Sequence, residues 1–455
     1  MTRLLRRPQL AAIALICLTT TGLAESKSWN QFRGPSGQGH AADARLPIKF
    51  GEDQNVAWKQ DVPGEGHSSP VTIGERIWLT TAVQSKLSEE EEKEKLSKIK
   101  NPRGLKLAGK LSLRALCFDM NTGRMLHDVE LFTVDDPEPK HLLNSYASPT
   151  PVIDNGRLYC HFGTYGTAAL NAETAEVIWK ADDLHCDHQN GPGSSPMLWN
   201  GLLLIHFDGI DKQFIAAINT KDGKTVWQEK RSSPMHETPE FQKAYCTPII
   251  VEHEGQPLLI SPAADWVYAY NPANGEQLWR AHYGQLGFST VPRPVAGHGM
   301  VYVCTSYMKS RLVAIRYDGK GDVTKSHTVW KSDSNIPQKP SLLLVGDNLF
   351  MVSDKGIASC LDAKTGKQHW RERLPGKYSA SPLFANGKVY FFSQEGKASV
   401  IEASTAFKKI ATNELETGFM ASPAVVNDSM FLRTEKHLYR IQSGAEPVQK
   451  NATGA

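Results

Sequence analysis

The sequence His-Cys-Asp-His at residues 185–188 brings together three residue types that bind metal ions. His67 or His141 on neighbouring loops could supply further ligands to such a site. The spacing matches no zinc-finger or protease motif, so a hydrogen-bonding role within the loop is the favoured alternative. We therefore keep His185, Cys186 and His188 as weak candidates for metal binding, with the metal itself unknown.

A second candidate set consists of aromatic, amide and imidazole side chains that precede short apolar strands along the chain. If those strands surround a channel, the set forms a ring at its mouth. Tyr and Phe rings offer flat apolar faces, and His, Asn and Gln supply directional hydrogen bonds, a mixture suited to an organic ligand or a peptide. The alternative is that the aromatic rings only fill the channel. The residues of the set are His67, Asn144, Tyr146, His188, Asn190, Tyr245, Phe288, Gln338, Tyr378 and Phe419.

No Ser-His-Asp signature, Gly-rich phosphate loop or paired-carboxylate motif stands out, and we predict no catalytic residue. Asp265 and Lys355 lie where tight turns are expected, so we interpret both as turn residues. The net charge is only +3 with 22% charged residues, and no basic cluster occurs beyond the N-terminus. This balance argues against a nucleic-acid partner.

The positions of these candidates follow from a repeated hairpin, for which Cys360-Leu-Asp-Ala-Lys-Thr-Gly-Lys-Gln-His-Trp370 is the model. A strand leads to a Thr-Gly turn, and a second strand carries Trp four residues after the turn glycine. Six further turns follow this design with variations, one of which replaces the Trp by His127. We expect Trp179, Trp227, Trp279 and Trp370 to occupy equivalent buried sites.

Each unit also begins with a residue followed by proline, and then an apolar hairpin with a turn of the Asn-Gly type. The openings are Ser69-Pro70, Ser148-Pro149, Ser195-Pro196, Thr247-Pro248, Val291-Pro292, Lys339-Pro340, Ser381-Pro382 and Ser422-Pro423. There are eight openings but only seven turns of the Thr-Gly type, because the last unit stops after three strands. The strand around Trp58 supplies the missing fourth. The sequence predicts an all-β protein, an eight-bladed β-propeller of four-stranded antiparallel blades closed by an N-terminal strand.

The turn pattern Asp-Ala-x-Thr-Gly-x-x-x-Trp resembles the repeat of pyrroloquinoline-quinone-like (PQQ-like) β-propellers. That family includes quinoprotein alcohol dehydrogenases and an outer-membrane assembly lipoprotein that shares the fold without a quinone. The resemblance implies either of two functions, a binding scaffold for a protein or polymer partner, or a quinone-dependent or other oxidoreductase acting on alcohols or sugars. The dehydrogenases stack their quinone on adjacent cysteines and bind calcium, and this sequence has no Cys-Cys step. We therefore favour the scaffold, with no cofactor, over an enzyme with PQQ and calcium.

The remaining segments complete the expected domain organisation. Residues 1–24 have the basic, apolar and small-residue regions of a signal peptide, which predicts export to the periplasm or the extracellular space. Residues 25–54 form an irregular Gly-rich segment expected to wrap the surface, and 55–443 form the propeller. Residues 83–110 are a charged helical insertion in blade 1, interpreted as solvated or, alternatively, as a lid. Residues 444–455 are expected to be a disordered tail. We expect a monomer without a transmembrane segment in the mature chain.

Overall fold

The computed structural model describes residues 28–445, which form the predicted ring of eight β-sheets. The signal-peptide prediction and most of the predicted tail lie outside these residues. Within the described range the one α-helix is α1 (Glu89–Ser97), and 3₁₀ turns cover Gly163–Tyr165 and Pro239–Phe241. In the same range, no helix is both long enough and apolar enough to cross a bilayer.

The strands follow in chain order. The first nineteen are β1 (Val56–Asp61), β2 (Val71–Ile73), β3 (Arg76–Gln84), β4 (Leu105–Lys106), β5 (Leu111–Asp119), β6 (Met125–Val134), β7 (Lys140–His141), β8 (Val152–Asp154), β9 (Arg157–His161), β10 (Thr167–Asn171), β11 (Val177–Ala181), β12 (Met197–Trp199), β13 (Leu202–Asp208), β14 (Gln213–Asn219), β15 (Thr225–Lys230), β16 (Ile249–His253), β17 (Gln256–Pro262), β18 (Trp266–Tyr270) and β19 (Gln277–His282). The others are β20 (Val295–Gly297), β21 (Met300–Cys304), β22 (Leu312–Arg316), β23 (Gly321–Asp322), β24 (Thr328–Ser332), β25 (Leu343–Val345), β26 (Asn348–Val352), β27 (Ile357–Asp362), β28 (Gln368–Arg373), β29 (Leu383–Ala385), β30 (Lys388–Phe392), β31 (Lys397–Glu402), β32 (Lys409–Glu414), β33 (Ala424–Val426), β34 (Ser429–Arg433) and β35 (His437–Gln442).

Each blade has four antiparallel strands, with the shortest strand lining the central channel. Blade 1 is β2, β3, β5 and β6; blades 2, 3 and 4 are β8–β11, β12–β15 and β16–β19; blade 5 is β20, β21, β22 and β24; blades 6 and 7 are β25–β28 and β29–β32; blade 8 is β33, β34, β35 and β1. In addition, β23 pairs in parallel with the outer strand of blade 4, and β4 pairs with β7.

The ring closes as predicted, through the strand that contains Trp58. Strand β1 pairs antiparallel with β35, so that Trp58 lies opposite Arg440 and Gln60 lies opposite Leu438. One sheet is thus completed from both ends of the described chain, which leaves no open edge between the first and last blades. The predicted count of eight blades is confirmed.

The outer-strand tryptophans pack between neighbouring blades. Trp179 donates its indole N–H to the carbonyl of Thr220 in the turn of the next blade, at 3.0 Å. Its ring lies over Gly223, where an added Cβ would come within 2.6 Å. Glycine is required there both by this approach and by its φ of 76°. Trp179, Trp227, Trp279 and Trp370 are all at most 9% exposed, which confirms their predicted burial.

Blade 1 keeps this contact although its outer strand carries His127 in place of Trp. Trp78, on the second strand of blade 1, donates its indole N–H to the carbonyl of Ala172 in the turn of blade 2, at 3.0 Å. The ring of His127 stacks on Trp78 with an interplanar angle of 2°. In blade 1 the anchoring tryptophan is therefore on the second strand instead of the fourth, but its acceptor is the equivalent turn carbonyl of the next blade.

The Gly-rich N-terminal segment begins across the channel and ends on the outer edge of the ring. At its end, Phe50 N donates to Asn413 Oδ1 on the outer strand of blade 7, at 3.0 Å. The residues before this point cross the channel and bond to the innermost strands or inner hairpins of six blades. These bonds join Trp29 N to Thr72 Oγ1, Ile153 N to Asn30 O, Ala296 N to Gln38 Oε1, His40 Nε2 to Leu344 O, Ala41 N to Phe384 O and Arg45 N to Asp428 Oδ1. A segment without strand periodicity gives no sequence signal for such long-range contacts. We call residues 29–45 the channel plug.

Candidate functional site

Six hydrogen bonds link equivalent residues of neighbouring innermost strands around the channel. At most blades a Ser or Thr hydroxyl accepts the backbone N–H of the equivalent residue in the preceding blade, as when Ser341 N donates to Ser381 Oγ at 3.0 Å. We call the equivalent positions the hydroxyl collar. They are Ser69, Thr150, Ser195, Thr247, Arg293, Ser341, Ser381 and Ser422.

The collar corrects three of the openings read from the sequence. In blades 2, 5 and 6 the equivalent residue lies two positions later than the predicted opening, at Thr150, Arg293 and Ser341. Pro149 and Pro151 both follow a Ser or Thr, and Pro292 and Pro294 both precede the strand in blade 5. The dipeptide pattern alone therefore fixes the start of the strand only to within two residues.

Above the collar, on the face that carries the long loops, lies a cavity of about 660 Å³. Phe32 of the channel plug is among its lining residues, so the plug reaches the channel side of the cavity. Ser195, Thr247, Ser341 and other collar hydroxyl residues line its lower wall. Its volume is within the range of sites that bind organic ligands.

The structure separates the predicted ring residues into two groups. Six of them line the cavity, namely His67, Asn144, Asn190, Tyr245, Phe288 and Gln338. The other four, Tyr146, His188, Tyr378 and Phe419, are at most 4% exposed and lie in the packed interior. The Tyr378 hydroxyl donates to the carbonyl of Pro375, and its ring belongs to an apolar cluster between blades. Placement of Tyr146, His188, Tyr378 and Phe419 at the channel mouth was therefore wrong.

His67 is held neutral at the cavity wall. Desolvation by burial, together with the nearby charges of Arg433 and Lys140, lowers its pKa to about 3. The Arg433 guanidinium is itself buried and donates to Ser68 Oγ and to the carbonyl of Thr80. At neutral pH the His67 ring is thus a neutral donor and acceptor of hydrogen bonds, without a charge for an anion.

The Asn144 amide and the Tyr245 hydroxyl at the mouth are hydrogen-bonded to backbone carbonyls of the surrounding loops. Asn144 Nδ2 donates to the carbonyls of Asn190 and Pro192, at 2.8 and 3.0 Å, and this ties two loops together. The Tyr245 hydroxyl donates to the carbonyl of His188 at 2.7 Å. These residues fix the shape of the cavity, and Tyr245 presents its ring to it.

The charged insertion contributes both a solvated helix and part of the cavity wall. Helix α1 begins at a capping box formed by Ser88 and Glu91, and none of its residues is buried. Beyond the helix, Asn101, Arg103 and Leu105 line the cavity. Asn101 Nδ2 donates to Glu240 Oε1 of the loop between blades 3 and 4, at 3.1 Å. The insertion therefore bridges to the loop between blades 3 and 4 at the mouth of the channel.

The far wall contains residues that sequence reasoning missed. Phe241 stacks on Phe288 with ring centres 4.5 Å apart, and Tyr307 meets Phe288 edge-on at 5.8 Å. Lys243 lies beside them and is buried. The only sequence signal was the length of the loop between β15 and β16, since long loops at a channel mouth are frequent sites of function.

The weak metal candidates are arranged around Thr164. His185 Nδ1 contacts Thr164 Oγ1 at 3.1 Å, and the Thr164 N–H points to His188 Nε2 at 3.2 Å. Cys186 Sγ lies 3.6 Å from His188 Nδ1. Among the described residues, no three His, Cys, Asp or Glu side chains are grouped as metal ligands.

The residues of the cavity do not fit a calcium-bound quinone. Among residues 28–445, the cavity lining includes no cysteine and one carboxylate, Glu240, which is hydrogen-bonded to Asn101. Calcium takes six to eight oxygen ligands and usually several carboxylates. We derive no chemical step through a quinone at this site.

Comparison with known proteins relates the ring to one family model. The model is described as "Outer membrane protein assembly factor BamB", and it matches residues 112–261 and 263–409. The match runs from the third strand of blade 1 to the last strand of blade 7.

Two curated relatives share this region. An outer membrane protein assembly factor BamB from Shewanella oneidensis is 19% identical over 300 residues, which cover 62% of this chain and 71% of the relative. A tetrathionate hydrolase from Acidithiobacillus ferrooxidans is 21% identical over 281 residues, or 53% of this chain. The chain spans about half of that hydrolase, 52% of its length.

Among solved structures, a quinohemoprotein alcohol dehydrogenase from Comamonas testosteroni has the same architecture. Its TM-score is 0.66 at 9% identity, with 94% of this chain and 82% of that chain covered. At this identity the likeness shows the fold alone, because one fold serves unrelated functions.

Proposed function

The chain belongs to the family described as outer membrane protein assembly factor BamB, and from this membership we propose that it is an exported scaffold that binds a partner protein at the channel mouth. The observation that carries the proposal is the mouth cavity with its exposed apolar rim. Leu142, Leu143, Tyr307 and Met308 are between 39% and 59% exposed and belong to loops on this one face. A rim of large apolar side chains around a cavity is typical of a protein-binding surface.

The opposite face supports the choice of the mouth. It carries short hairpin turns such as Asn386-Gly387, in which both residues have positive φ, 42° and 72°. Such two-residue turns match the twist of their strands and leave little room for a pocket. Long loops on one face and short turns on the other therefore favour the mouth as the recognition surface.

Affinity purification with a matched pair of variants tests this proposal. Mature protein is immobilised and exposed to the exported fraction of the source cells, beside the variant Leu143→Asp/Tyr307→Asp and the control variant Ile178→Asp. Ile178 is 41% exposed on an outer strand, away from the cavity. We expect the mouth variant to lose partners that the control retains. Equal recovery with all three proteins would contradict the proposal.

Export and oligomeric state are parts of the same proposal. The basic and apolar N-terminal residues support export. The description of the family as an outer membrane protein assembly factor supports it as well. Mass spectrometry of the native protein should find an N-terminus near Glu25, and an intact Met1 or a lipid-modified Cys17 would contradict this. Light scattering should give the mass of a monomer.

The proposal assigns no quinone to the cavity. Its support is the poor fit of the lining residues to a calcium-bound quinone, described above. Addition of calcium and pyrroloquinoline quinone to the purified protein should leave no bound quinone absorbance and no reduction of a dye by alcohols or sugars. Dye reduction that depends on both additions would favour an oxidoreductase.

A further inference from the structure

Lys243 differs from the other buried or cavity-lining lysines of the mouth in the partner of its ammonium group. Lys339 forms an ion pair with Asp354, and Lys140 forms one with Glu65 at 3.0 Å. The Nζ of Lys243 is instead hydrogen-bonded to the neutral amide oxygen of Gln189. It also lies 6.0 Å from the centre of the Phe288 ring. The cavity wall thus contains a lysine whose nearest polar partner is uncharged.

This arrangement has a cost. Only 6% of Lys243 is exposed, and burial lowers its pKa to about 8, although Glu240 and Asp187 act in the opposite direction through space. Removing an ammonium group from water without an adjacent counter-ion destabilises a folded protein. A carboxylate that entered the cavity and reached Nζ would offset this cost, because it would supply the missing counter-ion.

Two residues with left-handed backbone contact Lys243, one at its ammonium group and one at its backbone carbonyl. Gln189 and Ser289 both line the cavity and have left-handed backbone, with φ of 57° and 53°. Gln189 accepts from the Lys243 ammonium, and the Ser289 N–H donates to the Lys243 carbonyl at 2.7 Å. Non-glycine residues in this conformation cost free energy, and they concentrate at ligand sites. Lys243 is therefore held at both ends by residues in a conformation that costs free energy.

An apolar surface adjoins the ammonium group. The stacked rings of Phe241 and Phe288 continue into Tyr307, which is 59% exposed. A ligand with a charged end at Lys243 would lay its remaining atoms along these rings. This part of the wall therefore places the ammonium group of Lys243 beside an aromatic surface.

We propose that Lys243 anchors the carboxylate of a ligand whose apolar part packs on Phe241, Phe288 and Tyr307. The inference rests on the proposed function and names the chemistry that the mouth recognises. One ammonium neutralises one carboxylate, whereas a phosphate is more often held by the forked donors of arginine. The carboxylate can belong to a free aromatic acid or to the C-terminal residue of a polypeptide, and the test separates these two sources.

The test compares acids with their neutral amides by calorimetry on the mature protein. The probes are 3-phenylpropionate and its amide, and the acetylated peptide Ala-Ala-Ala-Phe with a free or an amidated C-terminus. We expect at least one acid to bind about tenfold tighter than its amide, the gain of one charge-assisted hydrogen bond. A preference for the small acid identifies a free acid as the ligand, and a preference for the peptide acid identifies a chain terminus.

Substitutions assign the effect to Lys243. The acid preference should fall below about twofold in Lys243→Met, persist in Lys243→Arg, and be unchanged in Lys364→Met. Lys364 lies in a turn on the opposite face and serves as the charge-matched control. Equal affinities of acid and amide in the wild type, no binding of either acid at ~10 mM, or an acid preference that survives in Lys243→Met would each overturn the inference.

The affinity purification described above distinguishes this failure from a failure of the proposed function. If the partner is still lost in Leu143→Asp/Tyr307→Asp while the acid preference is absent, only the carboxylate anchor is wrong. If the mouth variant retains all its partners, the proposed function itself is contradicted.

Discussion

Blades 1–5 and blades 6–8 form two arcs that use the same repeat differently. In blades 6–8 the mouth-face loops are short, as between β26 and β27 or between β30 and β31, and this arc supplies Ser379, Ser381, Met420 and Ser422 to the cavity. Blades 1–5 carry the long insertions, and they supply Arg103, Phe241, Lys243, Phe288 and Tyr307. Recognition chemistry is therefore concentrated where the repeat is interrupted.

The hydroxyl collar departs from its own pattern at blade 5, within the irregular arc. Ser341, Ser381 and Ser422 in blades 6–8 accept backbone N–H groups at 2.9–3.0 Å. In blade 5 the position is Arg293, whose guanidinium donates to the carbonyls of Phe32 and Pro248. The other collar positions hold neighbouring blades together through their hydroxyls, whereas Arg293 in addition holds the channel plug.

The largest expected effect is the loss of stability on removing an anchoring tryptophan, and it tests whether Trp78 of blade 1 stabilises the ring as much as Trp370 of blade 6. Trp78→Ala should lower the free energy of unfolding by ~3–5 kcal/mol, because a buried aromatic ring is removed. Trp370→Ala in the regular arc should cost a similar amount. His127→Ala, which removes only the stacked and less buried ring, should cost less than ~1 kcal/mol. Denaturant unfolding measures all three, and an equal loss for His127→Ala would show that Trp78 is not the anchor.

A smaller effect is expected where blade 5 departs from the collar. Arg293→Ser restores the hydroxyl of the other blades but leaves the carbonyls of Phe32 and Pro248 without this donor, at a cost of about 1–3 kcal/mol. We expect faster proteolysis within the plug, which mass spectrometry would locate. Unchanged stability and unchanged cleavage would show that Arg293 does not hold the plug.

Substitution of Lys243 should change stability in the opposite direction. Its folded-state pKa of about 8 lies below the ordinary value of 10.5, so the ionised side chain destabilises the fold. Lys243→Met should therefore raise stability at pH 7, by on the order of 1–2 kcal/mol. The gain should be full below about pH 8, decline as the pH rises, and vanish above 10.5. Thermal unfolding across this range measures it, and a gain that grows with pH would contradict the assignment.

The smallest effect concerns exposed positions of the outer strands. Val226 is 51% exposed on β15, and its replacement by Thr should change stability by less than ~0.5 kcal/mol. A loss above ~1 kcal/mol would mean that this outer edge is covered by something other than solvent.

The sequence predicted the ring well because the residues that build it recur. Turn glycines and tryptophans repeat at fixed spacing, and the unmatched strand around Trp58 implied closure. The same periodicity could not reveal Trp78, because its role depends on contact with another blade. Nor could it reveal the channel plug, which has no repeat of its own.

The site was harder to predict than the fold, for reasons of register and burial. Tyr245 and Tyr378 occupy similar places before their strands, but Tyr245 lines the cavity while Tyr378 packs between blades. Tyr245 lies two residues before its collar residue Thr247, whereas Tyr378 lies three residues before Ser381, so the two side chains enter different surroundings. Lys243 resembles a solvated loop lysine in sequence, since its burial arises only when the loops that contain Gln189 and Ser289 pack against it.

Photo-crosslinking at single positions tests most directly whether the mouth of the irregular arc is the recognition surface. A benzophenone amino acid replaces Tyr307 at the mouth or Lys364 on the opposite face, and the exported protein is irradiated in the source cells. The account predicts a defined crosslinked partner at position 307, absent at 364 and lost when Leu143→Asp is added. The same partner captured equally from both positions, or from 364 alone, would contradict it.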